Sequence, residues 1–270
     1  MGRGVRIVMG VMLGALALAA CDRGGKAGPV SVQEAQQKAF TNGSVAKNVR
    51  AADTITAFGR FYAAKAPRAT ILLFHQAGSS KFEYNDIGPR LAADGYNALA
   101  IDARAGGSGL FGENETVILR GKPGTYLEAK QDLQAAVNWA RDQRLPIFIW
   151  GSSYSAALVF LVAAQNPADV SGVLAFSPGE YLDEKGQVAR AAAQLRVPVF
   201  VTAASTPEEQ QAARAIFDAV PGADNSFYAA KAGVHGSSTL LKDRNAAGAD
   251  DNWRAVEAFL AREVPRARLR

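Results

Sequence analysis

One stretch of the chain indicates the fold more clearly than any other: Ile147-Phe148-Ile149-Trp150-Gly151-Ser152-Ser153-Tyr154-Ser155. It begins as a short apolar run, continues through small residues, and leads into the apolar segment 156–161. This order predicts a buried strand, a tight turn and a helix. Such a turn presents a serine as a nucleophile, because the turn holds its backbone in a strained conformation.

Ser153 is the candidate nucleophile of this turn. The strained conformation requires the residues two positions before and after the nucleophile to have almost no side chain. Gly151 meets that requirement, and Ser155 meets it less well. Choosing Ser152 instead would place Trp150 at a restricted position, which is too large.

His235 is the candidate base that would take the proton of the serine. A serine hydroxyl at neutral pH is a poor nucleophile until a neighbouring base removes its proton. The chain contains two histidines, and His235, in the loop 233–237, follows the serine in chain order, as it does in hydrolases that present a serine on such a turn. The alternative interpretation is a serine-rich turn with an unrelated surface histidine.

With these residues in place, the chain resembles the α/β-hydrolase superfamily, nearest to its small, lid-less dienelactone-hydrolase-like and esterase branches. The resemblance extends from about Asp53 to Phe259. Segment 71–78 is similar to the third strand and His-Gly loop of the family, with Gln76 where Gly is usual, and segment 98–108 is similar to the fourth strand and the Asp-x-Arg-Gly-x-Gly-x-Ser turn. The resemblance implies a single α/β domain with a mainly parallel central sheet, helices on both faces and no large lid.

The resemblance also implies an oxyanion hole, the pair of N–H groups that stabilises the negatively charged oxygen of the transition state. One donor would be the N–H of Tyr154, and the other would be the N–H of Gln76 or Ala77. Tyr181 is one of several aromatic residues expected at the wall of the site, beside Phe82, Tyr84 and Tyr154.

The acid that should orient the histidine is where the chain departs from the family. The family commonly has Asp near Thr206, and this chain has none there. Glu208 is the nearest carboxylate, and Glu180 follows the sixth strand, where some relatives carry the acid. We expect one of them, with Glu208 ahead of Glu180, to orient and stabilise the imidazole.

Apolar runs alternate with amphipathic segments of helix length, which is typical of a parallel sheet covered on both faces. The predicted strands are Thr54–Phe58, Thr70–Phe74, Ala98–Ile101, Ile147–Trp150, Val173–Phe176, Val199–Thr202 and Phe227–Ala230. The predicted helices are Asn85–Asp94, Tyr126–Gln143, Ser155–Asn166, Pro207–Ala219 and Asp251–Arg262.

The first residues are typical of a bacterial lipoprotein precursor. Residues 1–20 combine a basic start with an apolar run, Ile7–Ala20, that is shorter than the roughly 20 residues of a membrane span. The run ends in Leu18-Ala19-Ala20-Cys21, which resembles the site where a signal peptide is removed before a lipidated cysteine. We therefore expect a signal peptide over 1–20, acylation of Cys21, a tether over 21–45 and the hydrolase domain over 46–270, at the periplasm-facing membrane of a bacterial envelope.

Composition narrows the function further. The chain has 270 residues, of which 49% are hydrophobic, a net charge of +5 and one cysteine, so an internal disulfide is excluded. No basic stripe with interleaved aromatic residues, zinc-ligand spacing or phosphate-binding glycine loop is present, and we expect no cofactor, metal or nucleic-acid partner. The sequence predicts a carboxylesterase-like serine hydrolase of small esters. The alternatives are a catalytically degenerate binding lipoprotein, a peptidase and a dienelactone-type hydrolase.

Overall fold

The computed structural model describes residues 42–268. The predicted signal peptide, the predicted lipidation site Cys21 and most of the predicted tether lie outside these residues. The strands are β1 Val45–Ala46, β2 Val49–Arg50, β3 Thr56–Ala57, β4 Gly59–Tyr62, β5 Ala69–Phe74, β6 Tyr96–Ile101, β7 Ile147–Ser152, β8 Val170–Phe176, β9 Val199–Thr202 and β10 Ser226–Tyr228. The α-helices are α1 Ile87–Ala93, α2 Glu115–Arg120, α3 Tyr126–Arg141, α4 Tyr154–Gln165, α5 Gln187–Ala192, α6 Pro207–Phe217 and α7 Ala249–Ala267, and two 3₁₀ helices span Lys81–Tyr84 and Gly236–Leu240.

The described residues form a main sheet of eight strands in the order β1-β4-β6-β5-β7-β8-β9-β10. The strands from β6 to β10 in this order are parallel, whereas β1 and β4 are antiparallel to their neighbours. Every residue of β5, β6 and β7 is buried, as expected for parallel strands that are covered on both faces. The carboxyl ends of these strands meet at one edge, which is where such sheets carry their sites.

Helices cover both faces of the sheet, and each face has its own core. Helices α3, α4, α5 and α6 pack on one face, and α1 and α7 pack on the other. Helix α4 is apolar all round and almost wholly buried, because it lies between the sheet and the neighbouring helices. This arrangement confirms the predicted α/β architecture.

The structure differs from the predicted elements at the start of the sheet. We expected a strand over 54–58, but the strand of the main sheet is β4, which begins at Gly59, and the preceding β3 pairs with β2 in a separate ribbon. A side chain at Gly59 would overlap the carbonyl oxygens of Lys47 and Ala100, so glycine is required here inside the sheet. Helices α2 and α5 were not predicted, since each has only six residues.

The connection from Ser177 to Arg196 contains only the short helix α5. It adds no domain over the carboxyl edge of the sheet, which agrees with the predicted absence of a large lid. Within residues 42–268, the helices are all too short or too polar to cross a membrane.

Candidate active site

Ser153 occupies the turn between β7 and α4, in a conformation that non-glycine residues rarely adopt. Its φ is 60° and its ψ is −121°. The turn is fixed by the hydrogen bond that the Ser153 N–H donates to the Phe176 carbonyl at 2.8 Å. A strained residue is retained only where its surroundings over-determine it, and such residues concentrate at functional sites. The serine turn expected from the sequence is therefore present in the structure.

The residues two positions either side of Ser153 explain how the turn closes. A Cβ at Gly151 would overlap the backbone of Ser155 and Ala156, so this position requires glycine. On the other side, Ser155 is tolerated because its hydroxyl is fully used. That hydroxyl donates to the Phe74 carbonyl at 2.6 Å and accepts from the Ser152 N–H at 2.8 Å. The serine at this position ties the turn to the end of β5.

The carboxylate that reaches the histidine is Glu209. The Nδ1 atom of His235 lies 2.9 Å from Oε1 of Glu209, in a partly buried pair. Burial alone would lower the pKa of His235, but the hydrogen bond and charge of Glu209, together with the charge of Glu83, raise it. Burial alone would raise the pKa of Glu209, but His235 outweighs it and lowers that pKa. Because Nδ1 is bonded to a carboxylate, Nε2 is the ring nitrogen that can accept a proton.

Neither glutamate expected from the sequence forms a hydrogen bond or ion pair with His235. Glu208 is exposed in the first turn of α6. It precedes Glu209, and consecutive helix residues point in different directions, so only one of the two can face the histidine. Glu180 is used elsewhere, since its carboxylate accepts the N–H groups of Val188 and Ala189 at the start of α5. The signal that could have identified Glu209 is its position in the helix. It is the third residue of α6, and a carboxylate at this position turns back toward the preceding loop. Here it accepts the Ala204 N–H at 3.3 Å.

Two serines hold the histidine loop against the serine turn. The Ser177 hydroxyl, directly after β8, accepts the Gly236 N–H at 3.0 Å and also lowers the pKa of Glu209 by hydrogen bonding. The buried Ser152 hydroxyl accepts the Ser237 N–H at 2.9 Å. Between the Ser153 hydroxyl and the His235 ring the described residues form no direct hydrogen bond. Such bonds are often long in ligand-free sites and shorten when substrate binds.

One of the two N–H groups considered for the second oxyanion donor is already engaged. The Gln76 N–H donates to Oε2 of Glu83 at 2.9 Å, which leaves the N–H of Ala77 for this role. Tyr154 is the first residue of α4, and the first N–H groups of a helix have no acceptor within the helix. The N–H groups of Tyr154 and Ala77 are therefore the candidate donors.

The family-like segments around His75 and Asp102 build the floor of this region. His75 is fully buried, with Nδ1 2.8 Å from the Gln76 carbonyl and Nε2 accepting the Ala103 N–H at 3.0 Å. Burial lowers its pKa, so it is neutral. Asp102 is equally buried and pairs with Lys81 at 2.7 Å. The polar atoms of both side chains are thus engaged in hydrogen bonds that support the structure of this region.

Aromatic rings flank the serine on its open side. The Tyr126 ring stacks on the buried Tyr154 ring with centroids 4.5 Å apart. Tyr181 is partly exposed; burial raises its pKa to about 12, and the hydroxyl of Ser153 lies close enough to oppose that shift by hydrogen bonding. Phe82 and Tyr84, expected at the wall, are instead packed in the core. The region around Ser153 is thus lined by tyrosines.

Residues 42–268 contain no group of three or more histidine, cysteine, aspartate or glutamate residues arranged to hold a metal ion.

Comparison with known protein families gives a match over the middle of the chain. Residues 65–215 match the sequence profile of the family Hydrolase_4, described as serine aminopeptidase, S33. That range includes the serine turn and Glu209. No curated protein has a significant match to the sequence.

Solved structures show the same fold at low sequence identity. A dienelactone hydrolase from Anabaena variabilis is 14% identical, with a TM-score of 0.63 over 82% of this chain and 97% of its own. An esterase from Pyrococcus furiosus is 19% identical, with a TM-score of 0.62 over 90% of this chain and 100% of its own. A carboxyl esterase from Bacillus coagulans is 11% identical, with a TM-score of 0.63 over 82% of this chain and 99% of its own. The fold is the α/β-hydrolase fold.

Proposed function

The chain belongs to the Hydrolase_4 family, described as serine aminopeptidase, S33, and we propose that it is a serine esterase acting on small carboxylic esters. The observation that carries the proposal is the strained conformation of Ser153 at the end of β7, beside a His235–Glu209 pair. A strained serine, a histidine and a carboxylate that orients the histidine are the parts of a catalytic triad.

In the proposed reaction, the Ser153 hydroxyl attacks the ester carbonyl carbon while His235 accepts its proton. The negative charge that forms on the carbonyl oxygen is stabilised by the N–H groups of Tyr154 and Ala77. His235 then gives the proton to the leaving alcohol, and an acyl group remains on Ser153. Water, activated by His235, releases the acid and restores the serine. Glu209 stabilises the charged imidazole in both steps.

Ester cleavage is favoured over aminopeptidase activity because the carboxylates near the site are already bonded or buried. An aminopeptidase has to bind the positively charged amino terminus of its substrate, for which a free carboxylate is suited. Glu209 is bonded to His235, Glu83 is buried, and Glu180 accepts two backbone N–H groups. The partly exposed Tyr126 and Tyr181 offer a neutral aromatic surface instead, which suits an uncharged acyl or alkyl group.

A substrate panel tests the proposed activity. The full-length protein in detergent is assayed with p-nitrophenyl esters of increasing acyl length and with aminoacyl p-nitroanilides. We expect turnover of the short esters and at least a 100-fold lower kcat/KM for the anilides. Faster cleavage of the anilides would assign aminopeptidase activity. Binding without turnover of either class would assign a degenerate hydrolase.

The proposed location is a bacterial envelope membrane, where acyl chains on Cys21 anchor the protein. The proposal rests on the sequence alone: the apolar run before Leu18-Ala19-Ala20-Cys21 and the position of the single cysteine directly after it. Two or more acyl chains on one residue suffice for stable membrane attachment.

A further inference from the structure

A second carboxyl group, Glu83, is buried beneath the site and has no part in the proposed proton transfers. It lies in the 3₁₀ helix Lys81–Tyr84, and its side chain is almost fully excluded from solvent. Burying a carboxyl group is unfavourable unless hydrogen bonds compensate. Its contacts therefore indicate what the chain gains by keeping it there.

The contacts of Glu83 converge on the loop that carries the proposed oxyanion donor. Its Oε2 atom accepts the Gln76 N–H at 2.9 Å and the Ser79 hydroxyl at 3.2 Å. Its Oε1 atom is buried and has no hydrogen-bond partner among the described residues. One oxygen thus restrains the loop from both ends, and the other contributes no bond of its own.

The support beneath Glu83 is rigid. The neighbouring Tyr84 hydroxyl donates to the Phe74 carbonyl at 2.6 Å, at the last residue of β5. On the other side, the Lys81 ammonium group and its backbone N–H both bind Asp102, at 2.7 Å each. A side chain whose neighbours along the helix are anchored on both sides is suited to hold a loop in place, because its own position cannot adjust.

We propose that Glu83 is a positioning residue for the oxyanion hole: its Oε2 atom holds the N–H of Gln76 and thereby aims the next N–H, that of Ala77, at the carbonyl oxygen of the substrate. Gln76 can stand where glycine is usual in the resembled family, because its φ is not positive and its backbone N–H is held by Glu83. The inference rests on the proposed esterase function.

The neutral form of Glu83 suffices for this role, because a protonated carboxyl group keeps one oxygen as an acceptor. Burial raises the pKa of Glu83 to about 7, although the hydrogen bonds from Gln76 and Ser79 favour its charged form. Glutamine, whose amide oxygen reaches equally far, should therefore replace it. Aspartate keeps the acid but is shorter by one methylene, so its carboxyl group should not reach the Gln76 N–H.

The test compares Glu83→Gln and Glu83→Asp with the wild type, using the p-nitrophenyl ester that the wild type cleaves fastest. We expect Glu83→Gln to keep kcat within about fivefold. We expect Glu83→Asp to lose about 100-fold in kcat with KM within about threefold, because one oxyanion donor is worth about 10²–10³ in rate. Binding of a trifluoromethyl ketone, which forms a tetrahedral oxyanion on a serine, should weaken in parallel with kcat.

Glu263→Asp is the matched control. Glu263 is a buried glutamate with one unpartnered oxygen, paired with Arg262 and Arg266 in α7. Its shortening should lower thermal stability without changing kcat. If Glu83→Asp does not fold, Glu83→Met, of similar length and without an acceptor, takes its place with the same expected loss.

Two results would overturn the inference. One is wild-type kcat in folded Glu83→Asp or Glu83→Met, and the other is a loss of kcat in Glu83→Gln as large as in Glu83→Asp. Failure of the proposed esterase function is distinguished from both, because the wild-type protein would then show no turnover in the same assay.

Discussion

At the scale of single residues, the choice of the carboxylate that pairs with His235 depends on a shift of one position along α6. The sequence places two adjacent glutamates at the start of α6, and the preferred choice was Glu208. The choice failed because helix geometry, rather than the distance along the chain, decides which side chain faces the loop of His235. Ser153 and His235 could be proposed from the sequence, because the pattern of the serine turn and a histidine late in the chain are both visible there.

The adjacent glutamates supply a matched pair of variants. Glu209→Gln should lower kcat by about three to four orders of magnitude, because a neutral partner no longer stabilises the charged imidazole. Glu208→Gln should change kcat less than twofold, since that side chain is exposed. Equal losses in the two variants, or no loss in either, would show that Glu209 is not the acid. The measurement is kcat on a p-nitrophenyl ester.

The pH profile reports on the same pair. His235 must be neutral to act as a base, so kcat/KM should rise with pH through its pKa. Glu209 and Glu83 raise that pKa above the ordinary value of 6.5, which places the acidic limb above pH 6.5. Glu209→Gln removes the larger of these two effects and should move the limb to lower pH. An acidic limb that does not move would exclude His235 as the titrating group.

The variant Ser152→Ala distinguishes a hydroxyl that supports the turn from the proposed nucleophile, Ser153. The structure buries the Ser152 hydroxyl and bonds it to the Ser237 N–H, which gives this hydroxyl a supporting role. Its removal leaves a buried N–H without an acceptor, which costs about 1–3 kcal/mol of unfolding free energy. Urea denaturation of the variant should show that loss, while the variant still reacts with a fluorophosphonate. A variant as stable as the wild type would contradict the contact.

At the scale of elements, the turn between β7 and α4 is the best predicted part of the chain. Its apolar run and small residues predicted both flanking elements and the candidate nucleophile. The first strand was predicted too early in the chain because Gly59 interrupts the apolar pattern. This glycine is required by packing contacts that no local pattern reveals. The six-residue helices α2 and α5 are too short to show a helical period.

Gly151 provides the test at this scale. A methyl group here would overlap the backbone of the turn, so Gly151→Ala should destabilise the fold by about 3 kcal/mol and abolish esterase activity. Ser155→Gly, which places the smallest residue at the other restricted position of the turn, should keep activity. A Gly151→Ala variant with normal stability and kcat would mean that the turn is less tightly packed than described. Thermal unfolding and ester turnover supply the two readouts.

At the scale of the whole molecule, alternating strands and helices were enough to predict a parallel sheet with two covered faces. The contact of Ser177 with Gly236 was not predictable, because it joins segments that are 59 residues apart along the chain. Attachment to the membrane is also a property of the whole molecule, and a variant of the proposed lipidation site tests it. Cys21→Ala should move the protein from the detergent phase to the aqueous phase in a Triton X-114 partition, whereas an unchanged distribution would contradict lipidation.

The central claim is that Ser153 forms a covalent intermediate, and labelling with a fluorophosphonate tests it most directly. The full-length wild type is incubated with the probe and digested, and the modified residue is located by mass spectrometry. We predict one modification, on Ser153, with no labelling of Ser153→Ala and loss of labelling when His235→Ala is used. Labelling of Ser152 or of another serine, or of Ser153→Ala to the wild-type extent, would contradict the account.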